Sequence, residues 1–572
     1  MPILNSDVAR SLEKLADLLE LEGGNPFRIR AYRNAARVVG ELPRGVLAMT
    51  AAGEDLAELP GIGRDLADKI ETLAETGHIA VLDEMECKTP PGLLALLDMP
   101  GLGPKRVRLL YDQLGVRSLV ELAAAAKAGK IHDLPGFGAK TEQRILDEAE
   151  RRAGATHRIK RPVAEDIAEP LLRYLRAGLG VSQAAVAGSY RRRKETVGDL
   201  DIVVAATRGP DVIAHFVAYE DVAQVMARGP TRSSVVLRNG MQVDLRAVSA
   251  ANYGAALMYF TGSKAHNIAL RGIAAARGLK LNEYGLFDGT KRVAGRTEEE
   301  LYRVFGMPYI EPELREDHGE IEAARRGALP HLVTPADIRG DLHTHTTASD
   351  GRSSLADMVQ AARERGYSYL AISDHSKRVT VAHGLDAKRL SGQIDEIARL
   401  NETLRGFSVL KSVEVDILDD GRLDLPDEIL ARLDFAVGAV HSAFELPRDK
   451  QTARLLKAMD NRYLTILAHP TGRLIDQRRG CDFDMERVLA GARERGCAVE
   501  VNGQPDRLDL NEWHCKLAKD IGVKLALSTD AHSGAELGFM RYAVDQARRG
   551  WLEPGDIINT RDLAGLFALL RR

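Results

Sequence analysis

At 572 residues the chain is too long for a single hydrophobic core, so several domains are expected. Hydrophobic residues make up 45% and charged residues 28%, which is typical of a globular protein and excludes a disordered one. The net charge of −3 gives no overall indication of nucleic-acid binding, although a local basic patch would not show in it. The sequence has no apolar run long enough to span a bilayer, no signal-peptide pattern and no closely paired cysteines. These features predict a cytoplasmic protein without a membrane partner.

Three similar turns interrupt the helical pattern of the first segment. Each has the pattern Pro-Gly-apolar-Gly and opens a stretch with amphipathic spacing. The glycines of the three turns are Gly61 and Gly63, Gly101 and Gly103, and Gly136 and Gly138. Such a turn leaves backbone N–H groups at the positive end of a helix, which favours binding of a phosphate without reading bases. One copy is commonly structural, but three copies resemble helix-hairpin-helix motifs and predict contacts with the DNA backbone. The basic and aromatic run 27–33 favours the same partner.

Two acids mark the start of a predicted strand in the next segment. Asp199 and Asp201 are two residues apart before an apolar run, so both carboxylates project from one face. Asp-x-Asp pairs are commonly turn residues, but here a Gly-Ser turn and a basic cluster precede the pair. The pair suits Mg²⁺ or Mn²⁺, and Asp244 on a neighbouring strand would complete a two-ion site for phosphoryl transfer. The turn itself, through its backbone amides, Ser189 and Arg192, is suited to bind a triphosphate.

This order of turn, basic cluster and acids resembles the family X DNA polymerases, the group typified by DNA polymerase beta. The resemblance covers the chain up to about residue 310 and includes the segments 188–204, 259–263 and 281–284. It implies that the three acids bind the catalytic metals, with Asp244 next to the primer 3′-hydroxyl. It also implies that Ser189 and Arg192 hold the triphosphate, with help from Arg158.

The same resemblance implies a nucleotide pocket after the acidic strands. Tyr259, Phe260 and Gly262 would form its wall, and Asn267 would contact the incoming nucleotide. Arg271 would contact the templating strand. Gapped or nicked DNA and deoxynucleoside triphosphates are therefore the expected substrates of this part of the chain.

The N-terminal part resembles the lyase domain of that family, which removes a 5′-deoxyribose phosphate through a Schiff base on a lysine. Lys69 falls where that nucleophile would lie. The position departs from the family pattern, because Asp65 and Asp68 lie close by and negative neighbours favour the protonated amine. Lys69 is the candidate for this additional activity.

Apolar strands alternate with amphipathic helices in the last part of the chain. The predicted strands are 341–345, 369–375, 409–416, 435–442, 464–470, 498–502 and 524–530. This alternation predicts a parallel sheet, and seven repeats predict a closed, distorted α/β barrel. A polar stretch at 311–339, rich in charge, predicts a connection between domains.

Histidines recur at the ends of these strands. Six of the 15 histidines have this position: His343, His345, His375, His441, His469 and His532. A single buried histidine is more often a satisfied core residue, but six at one structural position indicate a metal cluster. The mouth of an α/β barrel is where separate strands deliver ligands to one point. Because Glu414 and Asp530 stand at the same ends, Zn²⁺, Mn²⁺ and Fe²⁺ all suit the cluster.

This region resembles the PHP (polymerase and histidinol phosphatase) domain, whose members hydrolyse phosphoesters at a site with three metal ions. The resemblance fills nine ligand positions: His343, His345, Asp350, His375, Glu414, His441, His469, Asp530 and His532. It implies three divalent ions, with Glu414 bridging two of them. Asp374 and His383 stay open between orienting a ligand or phosphate and simple packing, and His514 is interpreted as structural.

Both halves together resemble the bacterial family X polymerases with a fused PHP domain. The predicted architecture is a helical lyase-like domain with a helix-hairpin-helix motif at 1–85, a second helical DNA-binding region at 86–155, an α+β nucleotidyltransferase palm at 156–250, a nucleotide-selection region at 251–315, a linker at 316–338 and the PHP barrel at 339–572.

The resemblance implies a monomeric DNA-directed DNA polymerase that fills short gaps in base excision repair. It also implies a Mn²⁺-dependent 3′–5′ exonuclease in the PHP domain, with action at abasic sites and on 3′-phosphates as further activities. The alternatives are a small-molecule PHP phosphatase tethered to DNA and a non-catalytic, structure-specific DNA binder.

Overall fold

The structure is a computed structural model of the full chain. It describes residues 5–40, 46–51, 54–59, 61–76, 79–89, 93, 96–97, 99, 102–138, 141–146, 149 and 158–570. The chain forms two compact units, Met1–His157 and Arg158–Arg572. Within the described residues, no helix combines the length and the apolar character needed to cross a membrane.

The described part of the first unit is helical. Its helices are Asn5–Leu21, Pro26–Gly40, Val46–Ala51, Arg64–Thr76, Ala80–Lys88, Pro104–Leu114 and Leu119–Lys127. Leu12, Leu15 and Leu18 lie on one face of the first helix and are fully buried. They pack with Tyr32 and Ile70 in one apolar core, whereas a second core is formed mainly by residues between 93 and 149.

The second unit begins with a five-stranded sheet that carries the predicted acids. Its strands lie in the spatial order Val181–Val186, Asp199–Ala206, Gln242–Val248, Arg232–Leu237 and Val222–Arg228. The strands Asp199–Ala206 and Gln242–Val248 are parallel, and the other neighbours are antiparallel. The helices Arg161–Arg176 and Gly209–Val217 pack against alternate strand residues such as Leu200, which makes this region the expected α+β core.

A smaller α+β region follows the sheet. Its elements are the helices Tyr253–Thr261, Lys264–Ala276 and Glu298–Val304 and the antiparallel strands Leu279–Asn282, Gly285–Asp288 and Lys291–Ala294. They share one apolar core that includes Leu270, Leu286 and Leu301.

The predicted connection at 311–339 is partly packed and partly exposed. Its elements are the 3-10 turns Pro312–Leu314 and Pro335–Asp337 and the helix Glu320–Arg325. The charged residues that it buries have partners: Arg315 lies 2.5 Å from Glu298, and Glu320 lies 2.6 Å from the His266 ring. Charge in a sequence predicts exposure, but these groups have hydrogen-bonding partners, which is the condition for burying them.

The C-terminal region is a barrel of parallel strands in two sheets. One sheet consists of Gly340–Asp341, Tyr369–Ile372 and Ser408–Lys411, and the other of Glu414–Asp416, Ala436–Ala439, Leu464–Leu467, Ala498–Asn502 and Leu525–Ser528. Single parallel bridges, His375 with Glu414 and Thr344 with Ala531, join the sheets at both edges. The predicted third strand is interrupted after Lys411, so the predicted seven-stranded α/β barrel is confirmed in a distorted form.

Helices connect the barrel strands along the chain, and two more follow the last strand. They are Leu355–Glu364, Ala387–Thr403, Asp427–Leu430, Arg448–Met459, Met485–Glu494, Glu512–Ile521, Met540–Arg549 and Leu563–Leu570. Ion pairs join the five-stranded sheet region to the barrel: Glu195 lies 2.6 Å from Arg473, and Arg193 lies 2.7 Å from Asp545. The two regions therefore form one compact unit.

The Glu298–Arg315 pair provides a test of the buried charges. Burial opposes ionisation of Glu298, but Arg315 and Arg191 outweigh it and hold its pKa at about 2, against an ordinary 4.5. We expect Glu298→Gln to destabilise the second unit by about 3–5 kcal/mol, because buried Arg315 loses its carboxylate partner. The urea-induced unfolding transition of the second unit should therefore move to lower urea concentration.

The pH dependence of this difference follows from the lowered pKa. The contribution of Glu298 is fully present above pH 4.5 and is lost as the pH falls towards 2, so wild type and variant should converge in acid. As a control, Asp420→Asn removes an exposed pair with Arg422 and should leave the transition unchanged. Equal shifts for the two variants would contradict the buried-pair explanation.

Candidate active sites

The three predicted acids of the five-stranded sheet face one another across two parallel strands. Asp201 and Asp244 are paired directly in register, and Asp199 lies two residues before Asp201 on the same strand. Gln242 donates to Asp244 Oδ2 at 2.8 Å, and the Ser234 hydroxyl donates to its Oδ1. Burial, together with the other two carboxylates, raises the pKa of Asp201 to about 7. This excess of negative charge and the oxygen donors fit Mg²⁺ or Mn²⁺.

A short helix, Gly188–Arg191, brings the predicted triphosphate turn next to these acids. Gly188 has a φ of +59°, and a Cβ placed on it would lie 2.5 Å from Asp201 Oδ2, so glycine is required for this approach. The Ser189 hydroxyl is buried and has no hydrogen-bond partner within the described residues. An unpaired buried hydroxyl beside three acids is suited to donate a hydrogen bond to an oxygen of a bound phosphate.

The two predicted triphosphate arginines are engaged by protein groups. Arg192 donates through Nε to Glu316 Oε1 at 3.0 Å and through Nη1 to the carbonyl oxygen of Thr261 at 2.5 Å. Arg158 donates to the Thr196 hydroxyl at 2.9 Å. The structure thus brings Arg192 to the turn but gives it a carboxylate partner that the sequence did not predict.

The predicted nucleotide residues surround a groove beside the helix Tyr253–Thr261. Tyr259 and Arg271 line this groove of about 560 Å³ together with residues 279–283. Asn267 lies against the same helix, and its side-chain amide donates to the carbonyl oxygen of Tyr259 at 2.6 Å. The structure therefore places these three side chains close together. The predicted contacts with the nucleotide and the template require such a grouping.

Phe260 and Gly262 lie at the end of that helix. The Phe260 ring packs edge-on against Tyr259, and the Arg246 guanidinium carbon lies 5.1 Å from its centre. Gly262 has a φ of +69°, and a Cβ on it would lie 3.2 Å from Arg192 Nη1. The absence of a side chain at Gly262 therefore lets the Arg192 guanidinium lie close to the end of this helix.

The three glycine turns of the helical unit share one backbone arrangement. Their second glycines are Gly63, Gly103 and Gly138. Each of these carbonyl oxygens accepts the N–H groups of the residues three and four positions later, at 2.8–3.0 Å. Gly61 and Gly136 have positive φ, and Gly101 lies outside the described residues. None of the described residues lies within 4 Å of a Cβ placed on any of the second glycines, so they leave room for a DNA phosphate to approach the backbone there.

Lys69 is engaged by the acid one helical turn earlier. Its amine donates to the carboxylate of Asp65 and, at 3.3 Å, to the Asp65 carbonyl oxygen. The hydrogen bond from Lys69 lowers the pKa of Asp65. The amine is thus occupied by its contacts with Asp65, and the role of Lys69 as a nucleophile stays a prediction.

All nine predicted ligands of the barrel meet at its mouth. They form overlapping groups whose ligand atoms lie within 4.8 Å of one another. The groups are His345, Asp350 and His375 with His532; His343 and His469 with Asp530; His343 and His345 with Glu414; and His375 and Glu414 with His441.

Glu414 lies between the other ligands and is completely buried. Its Oε1 lies 2.9 Å from His469 Nε2 and 3.2 Å from His441 Nε2. Its Oε2 lies 2.7 Å from His375 Nδ1 and 3.5 Å from His343 Nε2. Each carboxylate oxygen therefore faces a different pair of imidazoles, which is the position that a bridging ligand needs.

Buried polar atoms without partners indicate that the cluster is built for cations. Within the described residues they include Nε2 of His343, Nδ1 of His345 and Nδ1 of His469. Unpaired buried polar atoms are costly, and a divalent ion would satisfy imidazole and carboxylate together. The donor set fits Zn²⁺, Mn²⁺ or Fe²⁺.

The acids and imidazoles of the cluster stabilise each other's charged forms. Burial opposes the charge on Glu414, but His375, His441 and His343 hold its pKa well below the usual range. Burial also opposes protonation of His375, but Glu414 and Asp350 raise its pKa to about 10. Divalent ions bound here would replace these ring protons.

Two buried carboxylates that the sequence analysis missed hold ligand histidines in place. Glu500 Oε1 lies 2.7 Å from His343 Nδ1, and its Oε2 accepts the backbone N–H of His469 at 2.8 Å. Asp416 Oδ1 lies 3.2 Å from His441 Nδ1. A carboxylate behind a metal-binding imidazole fixes its tautomer and orientation. For Glu500, the available signal was an acid in the middle of an otherwise apolar strand.

The two residues left open by the sequence lie outside the ligand groups. Asp374 accepts hydrogen bonds from Thr346 at 2.7 Å, Ser349 at 2.5 Å and Gln393 at 2.5 Å, and so anchors the loop that carries the first ligands. His383 accepts a hydrogen bond from Arg389 through its backbone carbonyl oxygen at 2.6 Å. Asp374 thus supports this loop by hydrogen bonds, and a role in orienting a ligand or phosphate stays a prediction.

Helix-hairpin-helix turns, a nucleotidyltransferase sheet with three facing acids and a metal-binding barrel define a DNA-handling transferase joined to a phosphoesterase. Family models match these parts as Helix-hairpin-helix domain (3–79), SAM-like Helix-hairpin-helix tandem (93–151), DNA polymerase beta thumb (256–316) and PHP domain (341–486). The chain is 37% identical over 570 residues, 99% of each chain, to the DNA polymerase/3′-5′ exonuclease PolX of Bacillus subtilis (strain 168). It belongs to the family X DNA polymerases with a C-terminal PHP domain, which confirms the resemblance seen in the sequence.

Other relatives match the two halves separately. DNA polymerase lambda of Rattus norvegicus is 26% identical over 346 residues, covering 54% of this chain and 56% of that protein. A probable phosphatase of Thermoanaerobacter sp. (strain X514) is 29% identical over 231 residues, covering 38% of this chain and 89% of that protein. The PHP family model ends before Asp530 and His532, which the structure nevertheless brings into the cluster.

Metal binding at the barrel mouth should stabilise the second unit. We expect Mn²⁺ to raise its thermal unfolding temperature by several degrees after chelator treatment, because ions that bind the folded state alone add stability. Glu414→Gln, which weakens the central ligand, should remove most of this rise. Glu428→Gln, an exposed acid of the same region, should keep it. An equal Mn²⁺ response in both variants would contradict a central role for Glu414.

Proposed function

We propose that the chain is a DNA-directed DNA polymerase that fills short gaps in base excision repair, and that its barrel trims 3′ ends as a 3′–5′ exonuclease. One observation carries the proposal: a complete set of polymerase acids and a complete nine-ligand cluster lie in the same compact unit. The full-length similarity to a relative named DNA polymerase/3′-5′ exonuclease supports both activities.

The polymerase residues divide the work between phosphate, base and primer. Ser189 and Arg192 bind the triphosphate, and Tyr259, Asn267 and Arg271 receive the nucleotide and template base. Asp199, Asp201 and Asp244 would hold two divalent ions, with the primer 3′-hydroxyl next to Asp244. Mg²⁺ or Mn²⁺ bound there would supply Lewis-acid activation of that hydroxyl and charge neutralisation for the leaving pyrophosphate. Gln242 and Ser234 fix the Asp244 carboxylate during this step.

The nuclease residues act as ligands and as supports for ligands. The nine ligands would hold three divalent ions, which would supply activation of a water molecule and charge stabilisation for the leaving oxygen of the 3′-terminal phosphodiester. Glu500 and Asp416 keep the imidazoles of His343 and His441 aimed into the cluster. Abasic sites and 3′-phosphates present the same phosphoester chemistry to this mouth, and we include them as further substrates.

The partners follow from these activities. Gapped or nicked DNA and deoxynucleoside triphosphates are the substrates, with the glycine turns of the helical unit as contacts to the DNA backbone. Both sites are complete within one chain, so we propose a monomer, acting in the cytoplasm.

A second candidate is supported by the relatives of the barrel alone. The similarity to proteins named probable phosphatases covers the barrel and favours hydrolysis of a small phosphomonoester. Turnover of histidinol phosphate without shortening of DNA would favour this candidate over the exonuclease.

The two activities should separate by single substitutions. We expect Asp201→Ala to abolish nucleotide addition and to spare 3′ shortening, because it removes a metal ligand of the sheet acids alone. His343→Ala should do the reverse. A 5′-labelled primer beside a one-nucleotide gap, incubated with Mn²⁺ with and without deoxynucleotides, measures both products. Loss of both activities in either folded variant would refute independent sites.

A lyase role for Lys69 should depend on its ion pair. We expect little covalent trapping of wild type on a 5′-deoxyribose phosphate with borohydride, because Asp65 holds the amine. Asp65→Asn should increase trapping at Lys69. Asp68→Asn, which removes the adjacent acid that is not the one bonded to the amine, should not. Absence of a trapped product in all three proteins would exclude Lys69 as the nucleophile.

A further inference from the structure

A buried arginine of the barrel reaches the predicted triphosphate turn. Arg549 lies at the end of the helix Met540–Arg549, and only 1% of its side chain is exposed. Its Nη1 donates to the backbone carbonyl oxygen of Arg192 at 2.5 Å. The same guanidinium contacts Glu316 at 3.2 Å and Glu512 at 2.9 Å. A buried guanidinium is tolerated only with such partners, so these contacts fix the relative positions of the barrel helix and the turn.

Arg192 and Arg549 share one carboxylate oxygen. Arg192 Nε lies 3.0 Å from Glu316 Oε1, the same oxygen that Arg549 contacts, and Lys194 Nζ lies 3.5 Å from it. Lys194 also lies 3.3 Å from Glu512. Three cations therefore face two carboxylates in a space that is largely closed to water. This leaves one positive charge in excess next to the turn.

The excess charge makes an exchange of partners feasible. If Arg192 turned from Glu316 to a triphosphate oxygen, Glu316 would still be paired with Arg549 and Lys194. Without Arg549, Glu316 would rest on Arg192 and the more exposed Lys194, and releasing Arg192 would leave a poorly paired buried carboxylate. The contact of Arg549 with the Arg192 backbone would also keep the turn in place while the side chain moves.

We propose that Arg549 of the barrel is a positioning residue of the polymerase site: it retains Glu316 and the Arg192 backbone so that the Arg192 guanidinium can pass to the triphosphate. Glu316 is the resting partner of Arg192 and competes with the nucleotide. The proposal rests on the polymerase function proposed above. It makes the barrel a structural participant in nucleotide binding, separate from its own metal cluster.

The test is single-turnover extension of a primer beside a one-nucleotide gap at increasing deoxynucleotide concentration. Arg549→Lys keeps the charge but loses the forked contacts, and it should raise the apparent Kd for nucleotide about tenfold, as expected for one lost charge-assisted hydrogen bond. The maximal rate should change less than the apparent Kd, since the metal-binding acids are untouched. The matched control is Arg548→Lys, which alters the neighbouring pair with Glu313 and should leave the apparent Kd unchanged.

Glu316→Gln gives a second measurement with the opposite sign. Removing the competing carboxylate should lower the apparent Kd, and Arg549→Lys should have a much smaller effect in that background. An unchanged apparent Kd in Arg549→Lys, a raised one in Glu316→Gln, or additive effects of the two would overturn the proposal. Retained 3′ shortening by each variant verifies folding. Failure of wild type to extend the primer would instead reject the polymerase function itself.

Discussion

Glu414 is completely buried among imidazoles, and the arrangement of the barrel mouth depends on balancing its charge. A lone carboxylate at this depth would be neutralised by a proton, but the surrounding histidines hold its pKa far below the usual range. Strand ends on both barrel sheets deliver these histidines, and the bridge between His375 and Glu414 is also one of the contacts that joins the sheets. The same contact therefore positions two ligands of the cluster and helps to close the barrel.

The same requirement organises the rest of the second unit. Three carboxylates face one another at the five-stranded sheet, where burial and mutual repulsion raise the pKa of Asp201. At the boundary between sheet region and barrel, arginines such as Arg161 and Arg193 meet Asp545 in pairs of 2.8 and 2.7 Å. Negative charge without a protein counter-charge occurs at the acids, where a cation belongs, whereas the charged side chains named at the boundary have partners of opposite sign. This distinction separates active sites from structural ion pairs.

Spacing and residue type predicted the strand and helix alternation, the three acids and the histidines at strand ends, whereas Asp350 and the residues of the nucleotide pocket came only from the family resemblance. Asp-x-Asp before an apolar run and histidines at recurring strand ends express local geometry, and the structure brings both sets together. The sequence did not show which charged residues of the segment 311–339 are buried, because it shows charge but not the partner that allows burial. Glu316, Glu500 and Asp416 were missed for the same reason, since their roles depend on residues that are distant in the chain.

The contact between Glu195 and Arg473 limits how far apart the two chemistries can be. Glu195 is four residues from Asp199, and Arg473 is four residues from His469. Even with both chain segments fully extended and both side chains at full length, the backbones of the two ligands are separated by roughly 45 Å at most. That is little more than one turn of duplex DNA, about 34–36 Å. A mispaired primer terminus would therefore travel less than one and a half helical turns to reach the site that removes it.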